Sequence, residues 1–266
     1  MTRERLDKLL VERGHVPSRE QARGLIMAGA VRVVGRVVDK PGALVAGDAA
    51  IEVARPVSAF VSRGGMKLDA ALRHFGIDLR GATVLDVGAS TGGFTDCALQ
   101  RGARSVIAID VGYGQFAWSL RNDPRVTLLE RTNIRHVRPT DLPTVPSHAV
   151  IDASFISLRL VLPPVVALLA PGGVLLALVK PQFEVGKGRV GKGGVVRDPA
   201  LHAESVATVR ACGEQLDLEC LGEYESPILG PKGNREFFLL LTKTGRTLAE
   251  LDALIAKVTA EEAPGP

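Results

Sequence analysis

Val84-Leu85-Asp86-Val87-Gly88-Ala89-Ser90-Thr91-Gly92-Gly93-Phe94 decides the fold: an apolar strand runs into a loop of small residues, and a helix begins. Glycines in such a loop let the backbone come close to a ligand. On either side the chain alternates strands with helices. The strands are expected at Thr83–Val87, Ser105–Asp110, Val126–Glu130, Ala149–Asp152, Val174–Lys180, Glu219–Tyr224 and Phe237–Leu241. Helices are expected near Lys67–Phe75, Gly93–Arg101, Leu158–Leu169 and Pro199–Leu216. This alternation predicts an α/β fold with a mostly parallel, doubly wound, Rossmann-like sheet.

Residues 1–58 read as a separate small α+β unit. Leu6, Leu9 and Leu10 lie at helical spacing, and Gly14 stops that helix. Ser18, with Gln21 three residues later, is expected to cap a second helix, Arg19 to Met27. Short strands are expected at Val31–Val34, Val37-Val38 and Ala50–Val53, with a turn at Gly35-Arg36. Arg55-Pro56-Val57-Ser58 is the expected boundary, 59–248 the large domain, and 249–266 a tail ending in Ala-Pro-Gly-Pro. The run Leu160 to Val179 carries no charge and is close to the roughly 20 residues that span a bilayer. Pro163, Pro164 and Pro171-Gly172-Gly173 divide it, so we expect a buried helix, a turn and a central strand. The start, MTRERLDKLL, is charged throughout, and we expect no secretory signal and a cytoplasmic protein. The three cysteines, Cys97, Cys212 and Cys220, are too few and too scattered for a disulfide framework or metal spacing. The composition is 46% hydrophobic, enough for a real core, and the net charge of +4 permits an anionic partner without requiring one.

The loop lacks the G-x-G-x-x-G spacing of a dinucleotide site. It suits a ligand without a pyrophosphate, such as S-adenosylmethionine, along Asp86, Gly88, Ala89, Ser90, Gly92, Gly93 and Phe94. Asp110, ending the next strand, is placed to grip ribose hydroxyls, and a polar side chain in Glu130-Arg131-Thr132-Asn133, at the end of the third, to meet adenine. Ligands of open α/β sheets bind beyond the carboxyl ends of strands. Asp152 and Lys180 each close a strand, Lys67 lies where the domain's first helix begins, and Glu236 opens the last strand. A hydroxyl attacking a methyl sulfonium must lose a proton and be held in line. A lysine serves that role when burial or a neighbouring cation favours its neutral form. Lys180 with Lys67 across the cleft fits, and Asp152 and Glu236 would orient the two ammonium groups.

With these residues in place, the chain resembles the TlyA family of ribosomal RNA 2′-O-methyltransferases with an FtsJ-like catalytic domain. The matching blocks are SRGGMKL, DVGASTGGFTD, DVGYGQ, LRNDPRV, ERTN, SFISL, LVKPQFEVGKG, GGVVRDP and GNREFF. RLDKLLVERG and SREQARGLIMAGAVRVVGRVV resemble an S4 RNA-binding domain. The resemblance implies a Lys-Asp-Lys-Glu tetrad at Lys67, Asp152, Lys180 and Glu236, cofactor contacts along Gly88–Phe94 and at Asp110 and Asn133, and cytidine ribose of 16S or 23S rRNA as the acceptor.

The expected RNA contacts are Arg3, Arg5, Lys8, Arg13, Arg19 and Arg23 on the small unit, with Arg63, Lys187, Arg189 and Lys192 near the site. If the arginines share a face, they form a phosphate-binding patch. Gly186 to Gly194 reads as a mobile, RNA-contacting lid. The expected partners are ribosomal RNA or subunits, without a membrane, and the expected state is a monomer. Three rivals stand: a membrane-active hemolysin, a label this family has carried, an RNA-binding module with an inert second domain, and a methyltransferase with a different acceptor, such as a base nitrogen.

Overall fold

A five-residue apolar strand with parallel neighbours on both sides must be buried on both faces. In the computed structural model, every residue of the strand Thr83–Val87 is buried. The structure describes residues 3–16, 19–27, 29–53, 59–186 and 188–244, with the backbone alone at 20, 21 and 24. The expected cap at Ser18, the Gln21 side chain, Lys187, the boundary at 55–58 and the tail lie outside the described residues.

The chain divides into two units, Met1–Ser58 and Ala59–Pro266. The first contains β1 (Arg3–Arg5), α1 (Leu6–Glu12), α2 (Arg19–Met27), β2 (Val31–Val33), β3 (Arg36–Val37), β4 (Leu44–Ala46) and β5 (Ile51–Val53). Leu6, Leu10, Ala22 and Ile26 pack the two helices on Val31 of β2. β2 lies between β3 and β5, and β1 pairs with β4. The turn falls one residue earlier than expected. Val34 and Gly35 both have positive φ, the pairing that closes a tight hairpin, and Arg36 belongs to β3.

The second unit runs α3 (Arg63–Phe75), β6 (Thr83–Val87), α4 (Gly93–Gln100), β7 (Ser105–Ile109), α5 (Trp118–Arg121), β8 (Val126–Leu129), β9 (His148–Ile151), α6 (Leu158–Leu168), β10 (Val174–Val179), α7 (Pro181–Glu184), α8 (Pro199–Gln215), β11 (Leu218–Glu225) and β12 (Phe237–Lys243). One sheet has the order β11-β12-β10-β9-β6-β7-β8. β6 to β10 are parallel, and β12 pairs antiparallel with both β10 and β11. Alternate residues feed two cores. Leu85, Ile107, Ala177 and Leu239 pack with α6 and α8, while Val84, Val106, Leu178 and Phe238 pack with α3 and α4. The uncharged run resolves as expected into α6, a turn and β10. Among the described residues, no helix is long and apolar enough to cross a membrane.

After β6 the chain builds β7 and β8 on one side, then crosses back to place β9 on the other. That reversal opens a crevice at the carboxyl ends of β6 and β9. Two buried polar groups support the strands around it. Asp86, inside β6, is fully buried, and its Oδ2 accepts from the Thr95 hydroxyl of α4 at 2.6 Å. Burial pushes its carboxyl up to about 7, against the Thr95 bond. Lys243, ending β12, donates from Nζ to Val166 O at 2.8 Å and Leu169 O at 2.6 Å, satisfying carbonyls at the end of α6. Burial lowers its pKa.

Replacing Lys243 by Met keeps the volume but strands two buried carbonyls. The expected loss of stability is roughly 1–3 kcal/mol in urea unfolding, and an unchanged midpoint contradicts the capping role. Asp86 titrates higher in the folded chain than in the unfolded one, so its contribution is complete below about pH 4 and withdrawn as pH rises towards 7. The Tm of Asp86→Asn minus that of the wild type is therefore expected to rise between about pH 4 and 7 and then level off. A difference that stays flat with pH contradicts the burial of this carboxyl.

Candidate active site

The crevice is framed by the residue that follows each strand. Val87 pairs with Ile151 in the β6–β9 ladder, so Gly88 and Asp152 leave the sheet side by side. Gly88 has φ +83, and a Cβ there would lie 2.7 Å from the Asp152 carbonyl oxygen. Only glycine permits both the turn and the close approach. From there the loop swings under Asp110, whose two oxygens accept from the backbone N–H of Ser90 at 2.7 Å and of Gly112 at 2.6 Å. Ser90 takes a left-handed φ of +50, and this bond helps to hold it there.

Two adjoining cavities share Gly88, Ser90 and Asp152 in their walls. The larger, about 580 Å³, contains Asp110, Asn133, Ser154 and Phe155 among apolar neighbours such as Ile109 and Ile134. The smaller, about 340 Å³, follows the loop to Phe94 and reaches Lys67, Arg63 and Gly230. Of the expected loop contacts, Gly88, Ala89, Ser90, Gly93 and Phe94 line a cavity, whereas Asp86 and Gly92 line neither. The Asn133 side-chain oxygen accepts from Arg135 N at 3.1 Å, capping a short 3-10 turn.

The four expected catalytic residues form two ion pairs. Lys67, nearly buried on α3, donates to Glu236 Oε2 at 2.6 Å. The other Glu236 oxygen is buried and has no hydrogen-bond partner among the described residues. It packs so closely on Gly230 that a Cβ there would lie 2.0 Å away. Because β12 runs against β10, Glu236 enters at the end of the sheet where Lys180 leaves. Lys180 is 6% exposed, and its Nζ lies 2.6 Å from Asp152 Oδ1. That contact is an ion pair without hydrogen-bond geometry, and among the described residues Oδ1 has no hydrogen-bond partner. The aligned bonds go to Ser154 Oγ at 2.8 Å and the Asp152 carbonyl at 3.4 Å. A buried ammonium therefore opens onto the larger cavity through one exposed hydroxyl.

Sequence reading missed three residues here. Ser154 is one, and a serine three residues beyond a strand gives no pattern to read. Glu184 is the second. It accepts from Ser157 Oγ at 2.6 Å and Leu158 N at 2.8 Å, lacing the segment after Lys180 to the segment after Ser154. Burial raises its carboxyl. Asn234 is the third. Its buried amide accepts from Val196 N at 3.1 Å and donates to Gly194 O at 3.0 Å and Pro231 O at 3.2 Å. At the end of the expected lid Asn234 holds Gly194, and just beyond it the His202 ring contacts Val196 O at 2.9 Å.

The expected RNA contacts separate. Arg63 donates to Leu229 O at 3.0 Å beside the smaller cavity. Arg189 donates to Glu204 at 2.6 Å, and Lys192 is exposed. On the small unit Arg3 is exposed, Lys8 faces Glu12 at 3.0 Å, and Arg13 donates to Ala49 O at 2.6 Å. Arg5, Arg19 and Arg23 come together around Asp7.

The FtsJ-like methyltransferase family matches residues 60–243, and the S4 domain matches residues 4–51. The chain is 50% identical to the 16S/23S rRNA (cytidine-2′-O)-methyltransferase TlyA of Mycobacterium tuberculosis, over 93% of each protein. It is 38% identical to Hemolysin A of Brachyspira hyodysenteriae, over 88% of this chain and 97% of that one. A solved structure named as a hemolysin of Streptococcus thermophilus superposes with a TM-score of 0.73 at 40% identity, covering 98% of this chain and 97% of that one. The chain belongs to the FtsJ-like methyltransferase family and carries an S4 domain ahead of its methyltransferase domain.

Proposed function

We propose that the protein transfers a methyl group from S-adenosylmethionine to the ribose 2′-hydroxyl of a cytidine in 16S or 23S rRNA, acting as a cytoplasmic monomer on ribosomal subunits. The observation that carries this reading is the buried Lys180 ammonium, held by Asp152 and reaching the larger cavity through Ser154. A ring nitrogen has no hydroxyl proton to remove, so a lysine–acid centre suits a ribose oxygen better.

The cavities fit the cofactor. Each Asp110 oxygen accepts one backbone bond and keeps a lone pair, enough to receive the two ribose hydroxyls. Asn133 and apolar neighbours line the larger cavity, which supports reading it as the adenine side, and the Gly88–Phe94 loop lining the smaller one supports reading that as the methionine side. S-adenosylmethionine supplies an electrophilic methyl group on a sulfonium. The protein then has to hold the acceptor oxygen in line and remove its proton. Lys180 orients the hydroxyl and, when neutral, accepts the proton. Asp152 fixes Lys180, Ser154 shares its hydrogen bonding, and the Lys67–Glu236 pair holds the opposite wall.

The test uses methyl-labelled S-adenosylmethionine with small and large ribosomal subunits from a strain lacking the modification. Label is expected in the rRNA of at least one subunit. Lys180→Ala is expected to lose about a hundredfold or more in rate, the scale of a removed acid–base group. Ser154→Ala is expected to lose roughly tenfold, the scale of one hydrogen bond to a charged group. No label in any rRNA form, with cofactor binding intact, contradicts the assignment. A fully active Lys180→Ala contradicts the centre proposed here.

A further inference from the structure

One buried carboxylate in the N-terminal unit gathers three guanidinium groups from two different elements. Asp7, in the first turn of α1, is 0% exposed. Arg5, from β1, grips it with both prongs: Nε donates to Oδ1 and Nη2 to Oδ2, each at 3.0 Å. Arg19, the first residue of α2, donates to the same Oδ2 at 3.0 Å. Arg23, one turn further along α2, brings Nε to 4.0 Å of it. The Arg5 bond holds the Asp7 carboxyl well below the usual carboxylate range, burial opposes it, and Arg19 adds to the lowering.

The acid is hidden but the cations are not. Their side chains are 46%, 57% and 62% exposed at Arg5, Arg19 and Arg23. Three positive charges about one negative charge leave the cluster with an excess of two. The neighbouring acids Glu4 and Glu12 face Lys8. A guanidinium carries five N–H donors. Arg5 uses two on Asp7 and Arg19 uses one, so most of the donors are not spent on the acid. An ion pair made for stability alone needs one cation, and exposed pairs contribute little. A buried anion that collects three half-exposed guanidiniums instead fixes long side chains that would otherwise sample many rotamers. Fixing them before a ligand arrives removes an ordering cost from binding.

We propose that Asp7 is a positioning residue that holds Arg5, Arg19 and Arg23 as a preformed cradle for an RNA backbone phosphate. This rests on the reading that the unit binds RNA, and it adds that the site is organised by an acid. Simple charge counting gives the opposite sign. Asp7→Asn makes the surface more positive by one, which on long-range attraction alone tightens RNA binding. Loss of the cradle weakens it.

The experiment measures binding of the full-length protein to a fluorescein-labelled rRNA hairpin transcript over a series of salt concentrations, for wild type and Asp7→Asn. The variant is expected to bind roughly tenfold more weakly at each salt concentration, the scale of freeing one or two immobilised side chains. Equal or tighter binding overturns the proposal while leaving RNA binding intact. Absence of wild-type binding overturns the RNA reading of the unit, and this inference with it. If Asp7→Asn fails to fold, titration of wild type carrying isotope-labelled arginine decides. The Nε–H resonances of Arg5, Arg19 and Arg23 are expected to shift together along one binding curve as RNA is added, and resonances that stay put or move independently overturn the cradle.

Discussion

An ammonium group inside a protein must be met on every side by acceptors, or the fold does not tolerate it. Lys180 is such a group, and its surroundings explain much of the second unit. Its charge is answered by Asp152 from the neighbouring strand, and its aligned hydrogen bonds by Ser154 and a carbonyl two residues earlier in the same segment. That arrangement requires β9 and β10 to lie side by side in parallel register, with nothing but the ends of the strands facing the crevice. Glu184 then ties the two outgoing segments together, so the lysine and its acid are held by covalent chain on one side and hydrogen bonds on the other.

The same sheet order sets the rest of the site. β6 separates β7 from β9, and the loop after β6 occupies the gap where the chain reverses direction across the sheet. Gly88 must pass within van der Waals contact of the Asp152 backbone, which brings the loop to the partner of Lys180. Antiparallel β12 completes the frame. Its reversed direction delivers Glu236 to the same end of the sheet as Lys180, opposite Lys67 at the start of α3. Two lysine–acid pairs thus flank a loop held by Asp110, each assembled from elements far apart in sequence.

Much of this was legible from sequence because the signals are periodic or terminal. β6 was placed residue for residue, and the other strands of the sheet to within two, because the buried parallel strands read as largely apolar runs and β11 reads as an alternation. Asp152, Lys180 and Glu236 could be read as facing the crevice because a charged residue at the end of such a run has nowhere else to point, while Lys67 was singled out only by its place near the start of a helix. Other features left no such trace. β1 reads Arg-Glu-Arg, with no apolar residue to mark a strand, and β4 is its short partner across the unit. α5 and α7 are single turns, too short for helical spacing to register. The helix α3 starts four residues before its expected point, because Gly64 and Gly65 read as loop. They are tolerated there since a Cβ at Gly65 would strike Phe60. Glu184 and Asn234 act mainly through partners distant in sequence, so nothing local marks them, and Asp7 beside Arg5 gives no sign that Arg19 and Arg23 join it from α2. The glycine-rich loop after Lys180 suggested a lid by composition alone, but composition does not reveal that Asn234 pins it.

The central claim is that the lysine–acid centre works on a ribose hydroxyl, and the position of the transferred methyl group tests it most directly. Methyl-labelled rRNA from the reaction would be digested with alkali, which cleaves RNA by attack of a free 2′-hydroxyl on the adjacent phosphate. Recovery of the label in alkali-resistant dinucleotides is the result this account predicts. Recovery in single nucleotides would place the methyl group on a base and contradict it.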